Sequence, residues 1–97
     1  MLLYLVKYTL KGNDKGAHLK PDHMDYLKKL YDEGTLLTAG LFIGKVGGYL
    51  LFKTESLEET QALIEKDPYI VHGVRDFEIE SWDVSPFPLK VVEQPCF

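Results

Sequence analysis

Two polar side chains fall where helical spacing turns a residue inward, and together they suit acid–base chemistry. His23 lies four residues before Leu27 and seven before Leu30, on the stripe away from Lys28, Lys29 and Asp32. Asp67 follows Ile64, Leu63 and Thr60 at spacings of three, four and seven, immediately before Pro68. A histidine oriented by a carboxylate is the usual construction of a general base working near neutral pH. Each residue also has a plainer reading. His23 would be a helix-face histidine satisfied by a carbonyl or water, and Asp67 would hold the turn before the proline. From spacing alone the plainer reading leads for each, and one of each type, both directed toward the sheet, narrows the gap to a catalytic pair.

The remaining chemistry-bearing residues read more simply. His18 falls in a loop or at a helix start and His72 follows the second helix, so both are expected at the surface. Tyr69, in the D-P-Y turn, is a candidate pocket wall. Tyr4, Tyr8 and Phe52 are expected in the core or at a subunit contact. Cys96 is the single cysteine, second from the end of the sequence. There is no phosphate-binding glycine loop, no G-x-S-x-G elbow, no H-E-x-x-H and no cysteine pair for zinc. A metal would need a third ligand beside His23 and Asp67, and none is apparent, so neither metal nor cofactor is expected.

The elements that must position these residues alternate in type. Leu2 to Thr9 predicts a strand with Leu2, Tyr4, Val6 and Tyr8 on one face and Leu3, Leu5, Lys7 and Thr9 on the other. Both faces are apolar over most of its length, so both need a cover. Pro21 fits the first turn of a helix with an inward stripe of Met24, Leu27, Leu30 and Tyr31, closed by Gly34. Thr35 to Ile43 predicts a second strand, with Gly40 at a bulge or close approach. Gly44 to Gly48 reads as a hairpin turn and Tyr49 to Thr54 as a third strand. Ser56 and Glu59 form a capping box opening a second helix that runs to Asp67. Pro68 ends it. Asp76 to Asp83 predicts a fourth strand, its charges suiting a sheet edge.

The order β-α-β-β-α-β is the ferredoxin-like α+β arrangement, an antiparallel sheet with helices on one face. Residues 1–83 would form this domain. Residues 84–97 would be a C-terminal tail, with Pro86, Pro88 and Pro95, that crosses to a partner subunit. A homodimer packing sheet against sheet would cover the second face. In a plain fold of this type the start of the first helix and the end of the second are expected toward opposite ends. His23 and Asp67 would then meet only through offset helices or across the dimer.

Composition narrows the function classes. The chain has 97 residues, 11 Lys plus Arg against 15 Asp plus Glu, and a formal charge of −4. The acidic balance and the lack of a basic stripe argue against nucleic acid as partner. No apolar run approaches the ~18 residues of a membrane span, and Met1 to Val6 is too short for a signal h-region. A lone cysteine forms no internal disulfide, which suits a reducing, cytoplasmic setting.

Three segments carry a resemblance: P-D-H-M-D-Y-L-K-K-L (Pro21 to Leu30), E-G-T-L-L-T-A-G (Glu33 to Gly40), and S-L-E-E-T-Q-A-L-I-E-K-D-P-Y-I-V-H-G-V (Ser56 to Val74). From about residue 2 to 83 the chain resembles the YCII-related family. The resemblance implies a dimeric α+β barrel of ferredoxin-like subunits, akin to muconolactone isomerase, with a histidine–aspartate centre that falls here on His23 and Asp67. Tyr69 and Gly40, in the matched segments, become the candidate substrate-binding residues. The chemistry implied is that of a small cofactor-free lyase or isomerase acting on a cyclic substrate. One such reaction is dehydrochlorination of a chlorinated hydroxyhydroquinone in aromatic degradation. The alternative is a non-enzymatic domain that binds a small molecule in the same pocket.

Overall fold

The computed structural model of the chain describes residues 1–90; Cys96 and residues 91–97 of the expected tail lie outside the described residues. The chain runs through β1 (Leu2–Leu10), a single 3₁₀ turn (Ala17–Leu19), α1 (Lys20–Asp32), β2 (Leu36–Leu41), β3 (Gly47–Phe52), α2 (Leu57–Ile64), α3 (Pro68–Val71) and β4 (Arg75–Asp83). The four strands lie in the order β2-β3-β1-β4, and every neighbouring pair is antiparallel. This is the ferredoxin-like sheet, with the short α3 as an addition the sequence reading did not separate from the turn after α2.

The register sorts the side chains by face. Val6 lies opposite Leu50 and Ile79, and Tyr4 opposite Phe52. These residues, with Tyr8 and Leu36, meet Leu27 and Leu30 of α1 and Ile64 of α2 in the main core. Tyr26 ties the two helices together by donating its hydroxyl to the Leu63 carbonyl at 2.8 Å. The buried stripe of α1 is His23, Leu27 and Leu30, whereas Met24 and Tyr31 are 52% and 58% exposed. The helix is therefore rolled toward His23 relative to the expected stripe.

Gly34 closes α1 at φ 81°, with the Thr35 N–H bonded back to the Leu30 carbonyl at 3.0 Å. Ser56 Oγ accepts from the Glu59 N–H at 3.0 Å, as a capping box requires. The reciprocal bond goes one residue further out, from the Glu55 N–H to Glu59 Oε2. Two features differ from expectation. The register shift in β2 falls between Leu36 and Thr38, so the bulge is not at Gly40, around which there is open space. The close approach is at Gly48 instead, where a Cβ would collide with the Gly40 carbonyl oxygen. Gly47 and Gly48 thereby belong to β3 rather than to the turn.

The two ends carrying the candidate residues also lie differently from expectation. After β1, α1 runs back antiparallel to it, and α2 runs back antiparallel to β3. Since β1 and β3 are themselves antiparallel, α1 begins at the same end of the sheet at which α2 finishes. That end holds Tyr8, Gly48 and Arg75, where β1 finishes and β3 and β4 begin.

Candidate active site

Asp67 does not continue α2, which ends at Ile64. It stands three residues on, as the N-cap of α3, with an extended backbone at φ −65° and ψ 129°. The following proline enforces that geometry, because a helical residue before it would clash with the ring. Pro68 then occupies the first helical position, where its missing N–H is no loss. The carboxylate turns back over the helix start, and Oδ1 accepts from the Tyr69 N–H at 3.0 Å.

The same carboxylate takes two further donors. Tyr8, at the end of β1, donates its hydroxyl to Oδ2 at 2.8 Å. His23 Nδ1 lies 2.8 Å from Oδ1 and 3.0 Å from Oδ2. The structure thus brings together the histidine and the aspartate singled out in the sequence, within one subunit. Asp67 is fully buried and His23 is 8% exposed. Three donors converging on one carboxyl group suit an acceptor-only carboxylate. The proton of the neutral imidazole then sits on Nδ1, which leaves the Nε2 lone pair free. Burial, together with the Asp67 charge, pushes the Tyr8 phenol far above its ordinary range, so it remains a donor to Asp67.

Aromatic packing holds the imidazole from the side. The Tyr69 ring stacks on His23 with centroids 3.9 Å apart and planes 13° from parallel. Arg75 Cζ lies 4.4 Å from the Tyr69 ring centroid. Burial raises the Tyr69 phenol, and the Arg75 charge opposes that rise. Tyr69, Leu19 and Val74 form a small second core beneath this stack. Gly16, at φ 77°, lets the loop before α1 close over it, since a Cβ there would stand 3.0 Å from Tyr69 Cε1 and 3.1 Å from Val74 Cγ2.

His23 opens on a cleft of about 270 Å³ between α1 and the adjoining end of the sheet, lined also by Tyr8, Met24, Gly40, Tyr69 and Arg75 among others. That is near the lower end of ligand pockets, ~300–1,000 Å³, and suits one small ring. Both expected substrate-binding residues, Tyr69 and Gly40, border it. Two residues were missed as site members. Tyr8 read as core, although a tyrosine on the inward face at a strand end needs a partner for its hydroxyl. Arg75 left one signal: it is the only arginine among the 11 basic residues. Among the described residues no three His, Cys, Asp or Glu side chains are placed to hold a metal ion, and no helix is long and apolar enough to cross a membrane.

The sequence model of the YCII-related domain matches residues 1–83. The chain belongs to the YCII-related family. Protein YciI of Escherichia coli O6:H1 is 34% identical over 98 residues, spanning 89% of this chain and 96% of the relative, and Protein YciI of Shigella flexneri matches to the same extent. Solved structures share the fold. The 5-chloro-2-hydroxyhydroquinone dehydrochlorinase TftG of Burkholderia phenoliruptrix AC1100, in complex with 2,5-dihydroxybenzoquinone, superimposes with a TM-score of 0.74 at 20% identity. It covers 84% of this chain and 93% of its own. Muconolactone isomerase gives 0.76 at 23% identity, over 95% and 99% of the two chains. The fold of this family member is therefore that of the muconolactone isomerase-like α+β barrels.

Proposed function

We propose that the chain is a cofactor-free lyase or isomerase acting on a small cyclic substrate, with His23 Nε2 as the proton-transferring atom and Asp67 as the residue that orients it. The observation that carries this reading is the buried 2.8 Å contact between His23 Nδ1 and Asp67, which turns the other imidazole nitrogen toward the cleft. Asp67 fixes the tautomer and stabilises the imidazolium formed when His23 takes a proton. Such help is typically worth ~10²–10⁴-fold in rate. Tyr69 and Gly40 shape the wall against which the ring lies.

The reaction of a fold relative, dehydrochlorination of a chlorinated hydroxyhydroquinone, fits these parts without an oxidant. His23 takes the proton of the ring hydroxyl beside the chlorine and returns it to the chlorine-bearing carbon, giving a keto tautomer. Loss of the proton from a second ring hydroxyl then drives an electron pair through the ring. The carbon–chlorine bond breaks, chloride leaves with its bonding pair, and a hydroxyquinone remains. The net change is loss of HCl.

A panel of hydroxylated and chlorinated quinols, assayed for chloride release, tests the proposal. Wild-type protein should release chloride, and His23→Ala should lose turnover while binding the same quinol within a few-fold. Binding without turnover in the wild type, or full turnover in His23→Ala, would overturn it; the first result would assign a binding domain.

We further propose that this chemistry runs in a cytoplasmic homodimer. The sheet face away from the helices carries Leu5 opposite Leu51, beside Tyr49 and Trp82, which are 46% and 47% exposed. A second copy laid on this face would cover it, and the exposed Phe87 and Leu89 suit a tail that reaches the partner. A monomeric mass by light scattering at micromolar concentration would sink the dimer.

A further inference from the structure

The cleft has an electrostatic character opposite to that of the molecule. The chain carries a formal charge of −4, yet among the described residues the ionisable groups bordering the cleft include Lys20, His23 and Arg75 and no aspartate or glutamate. Asp67 lies behind His23 and is committed to its three donors.

Arg75 is the unusual member. It is 8% exposed, and its fixed partners are two neutral carbonyls: Nη1 donates to Val74 at 3.0 Å and Nη2 to Lys15 at 3.0 Å. Among the described residues it makes no ion pair; the nearby Asp76 pairs with Lys11. Three of its five N–H groups have no protein acceptor among those residues. Burying a cation without a counter-charge is costly, and the cost is recovered when an anion arrives to pair with it. The planar guanidinium is also held over the Tyr69 ring, so its orientation is set before anything binds. Lys20, the first residue of α1, adds a second cation, without an ion pair among the described residues, at the positive end of a 13-residue helix dipole.

We propose that the cleft selects a small planar oxyanion, and that Arg75, supported by Lys20, is the residue that reads its charge. This rests on the cleft being the substrate site of the preceding section and names the class of molecule that the site takes. The oxygen bearing the charge sits toward Arg75 while the ring lies within reach of His23. A phenol entering neutral gains the same contact as His23 removes its proton, so the guanidinium also favours the ionised state along the reaction.

Two chemistries supply such an anion, an acidic enol or phenol and a carboxylic acid, and paired probes separate them. Calorimetric titration at neutral pH would compare 2,5-dihydroxybenzoquinone with its dimethyl ether, and benzoate with benzamide. At least one anion should bind about tenfold to a hundredfold more tightly than its neutral partner. The tighter of the two anions identifies the acid type. Arg75→Gln should abolish the preference, and Lys20→Gln should reduce it by a few-fold. His23→Ala should keep it, which separates recognition from catalysis. Arg75 also ties the Lys15 loop to β4; should Arg75→Gln fail to fold, Lys20→Gln and the weakening of the wild-type preference with added salt decide the matter. Equal binding of anion and neutral partner, failure of both anions to bind at millimolar concentration, or an unchanged preference in Lys20→Gln at all salt concentrations would overturn the proposal. Chloride release by a protein with no anion preference would sink this proposal alone, whereas anion preference without turnover would sink only the catalytic one.

Discussion

Asp67→Asn preserves the shape of the site while removing its charge, which makes it the most informative single change. The carboxylate accepts from Tyr8, His23 and Tyr69 at 2.8, 2.8 and 3.0 Å. An asparagine can still accept from the Tyr69 N–H and His23 Nδ1 on its oxygen and turn its NH₂ toward the Tyr8 hydroxyl, which can accept. The Tyr8 hydroxyl hydrogen then loses its acceptor and must turn to the cleft that Tyr8 borders; with the charge-assisted part of the other bonds, the loss is about 1–2 kcal/mol of stability. For a domain of this size that lowers the melting temperature by about 5–15 °C. Activity should fall further than stability. An imidazolium formed beside a neutral amide loses about 1.5–3 kcal/mol of stabilisation, a rate loss of about 10–150-fold. Where the NH₂ faces Nδ1, the tautomer inverts, and the loss approaches about 10⁴-fold. Asp67→Ala differs in kind. It leaves three buried donors without an acceptor at about 1–3 kcal/mol each, a sum comparable with the whole stability of a small domain. Circular-dichroism melts paired with chloride-release rates distinguish these outcomes. Asp67→Asn turning over within about threefold of wild type, or Asp67→Ala melting with the wild type, would refute the reasoning.

Other outcomes follow from the same contacts. Tyr8 stays protonated in the fold, whereas in the unfolded chain its phenol titrates near 10. Above that pH the unfolded state sheds a proton that the folded state keeps, and stability falls by about 1.4 kcal/mol per pH unit. Tyr8→Phe should remove that part of the alkaline slope in urea melts; an unchanged slope would contradict the burial of a protonated Tyr8. Gly16→Ala combines φ 77° with tight contacts against Tyr69 and Val74. It should cost about 1–3 kcal/mol and weaken substrate binding by displacing Tyr69, and a wild-type melt would count against that packing. Ser56→Ala removes the α2 cap at a half-buried position at the opposite end of α2 from the cleft and should cost about 1 kcal/mol with turnover unchanged.

The strand and helix order was legible because each element announces itself locally. The β1 alternation, Pro21 and Gly34 around α1, and the Ser56 cap all survive in the structure. His23 was legible because helical spacing places it beside Leu27 and Leu30. Asp67 was found for a reason that proved incomplete: its spacing continues the α2 stripe, but the chain leaves the helix at Ile64 and re-enters one at Pro68. A proline that ends one helix and starts another looks the same in sequence as one that simply ends it. The meeting of His23 and Asp67 follows from antiparallel helices, a property of the completed topology. Arg75 was invisible for another reason. Its burial depends on the Lys15 carbonyl, 60 residues away, and on a tyrosine ring presented by α3, neither of which leaves a periodic trace.

The Asp67 carboxylate holds the start of α3 with the oxygen that also holds the imidazole. Any lineage that lost this side chain would unmoor Pro68–Val71, and Tyr69 with it. Purifying selection for a folded protein alone therefore protects Asp67, whatever the substrate becomes. Descendants of such a scaffold can drift between reactions while carrying the same aspartate. An aspartate kept at this position then marks a stable fold more firmly than it marks a common reaction. Substrate divergence should be sought in the residues around the cleft that carry no such structural duty.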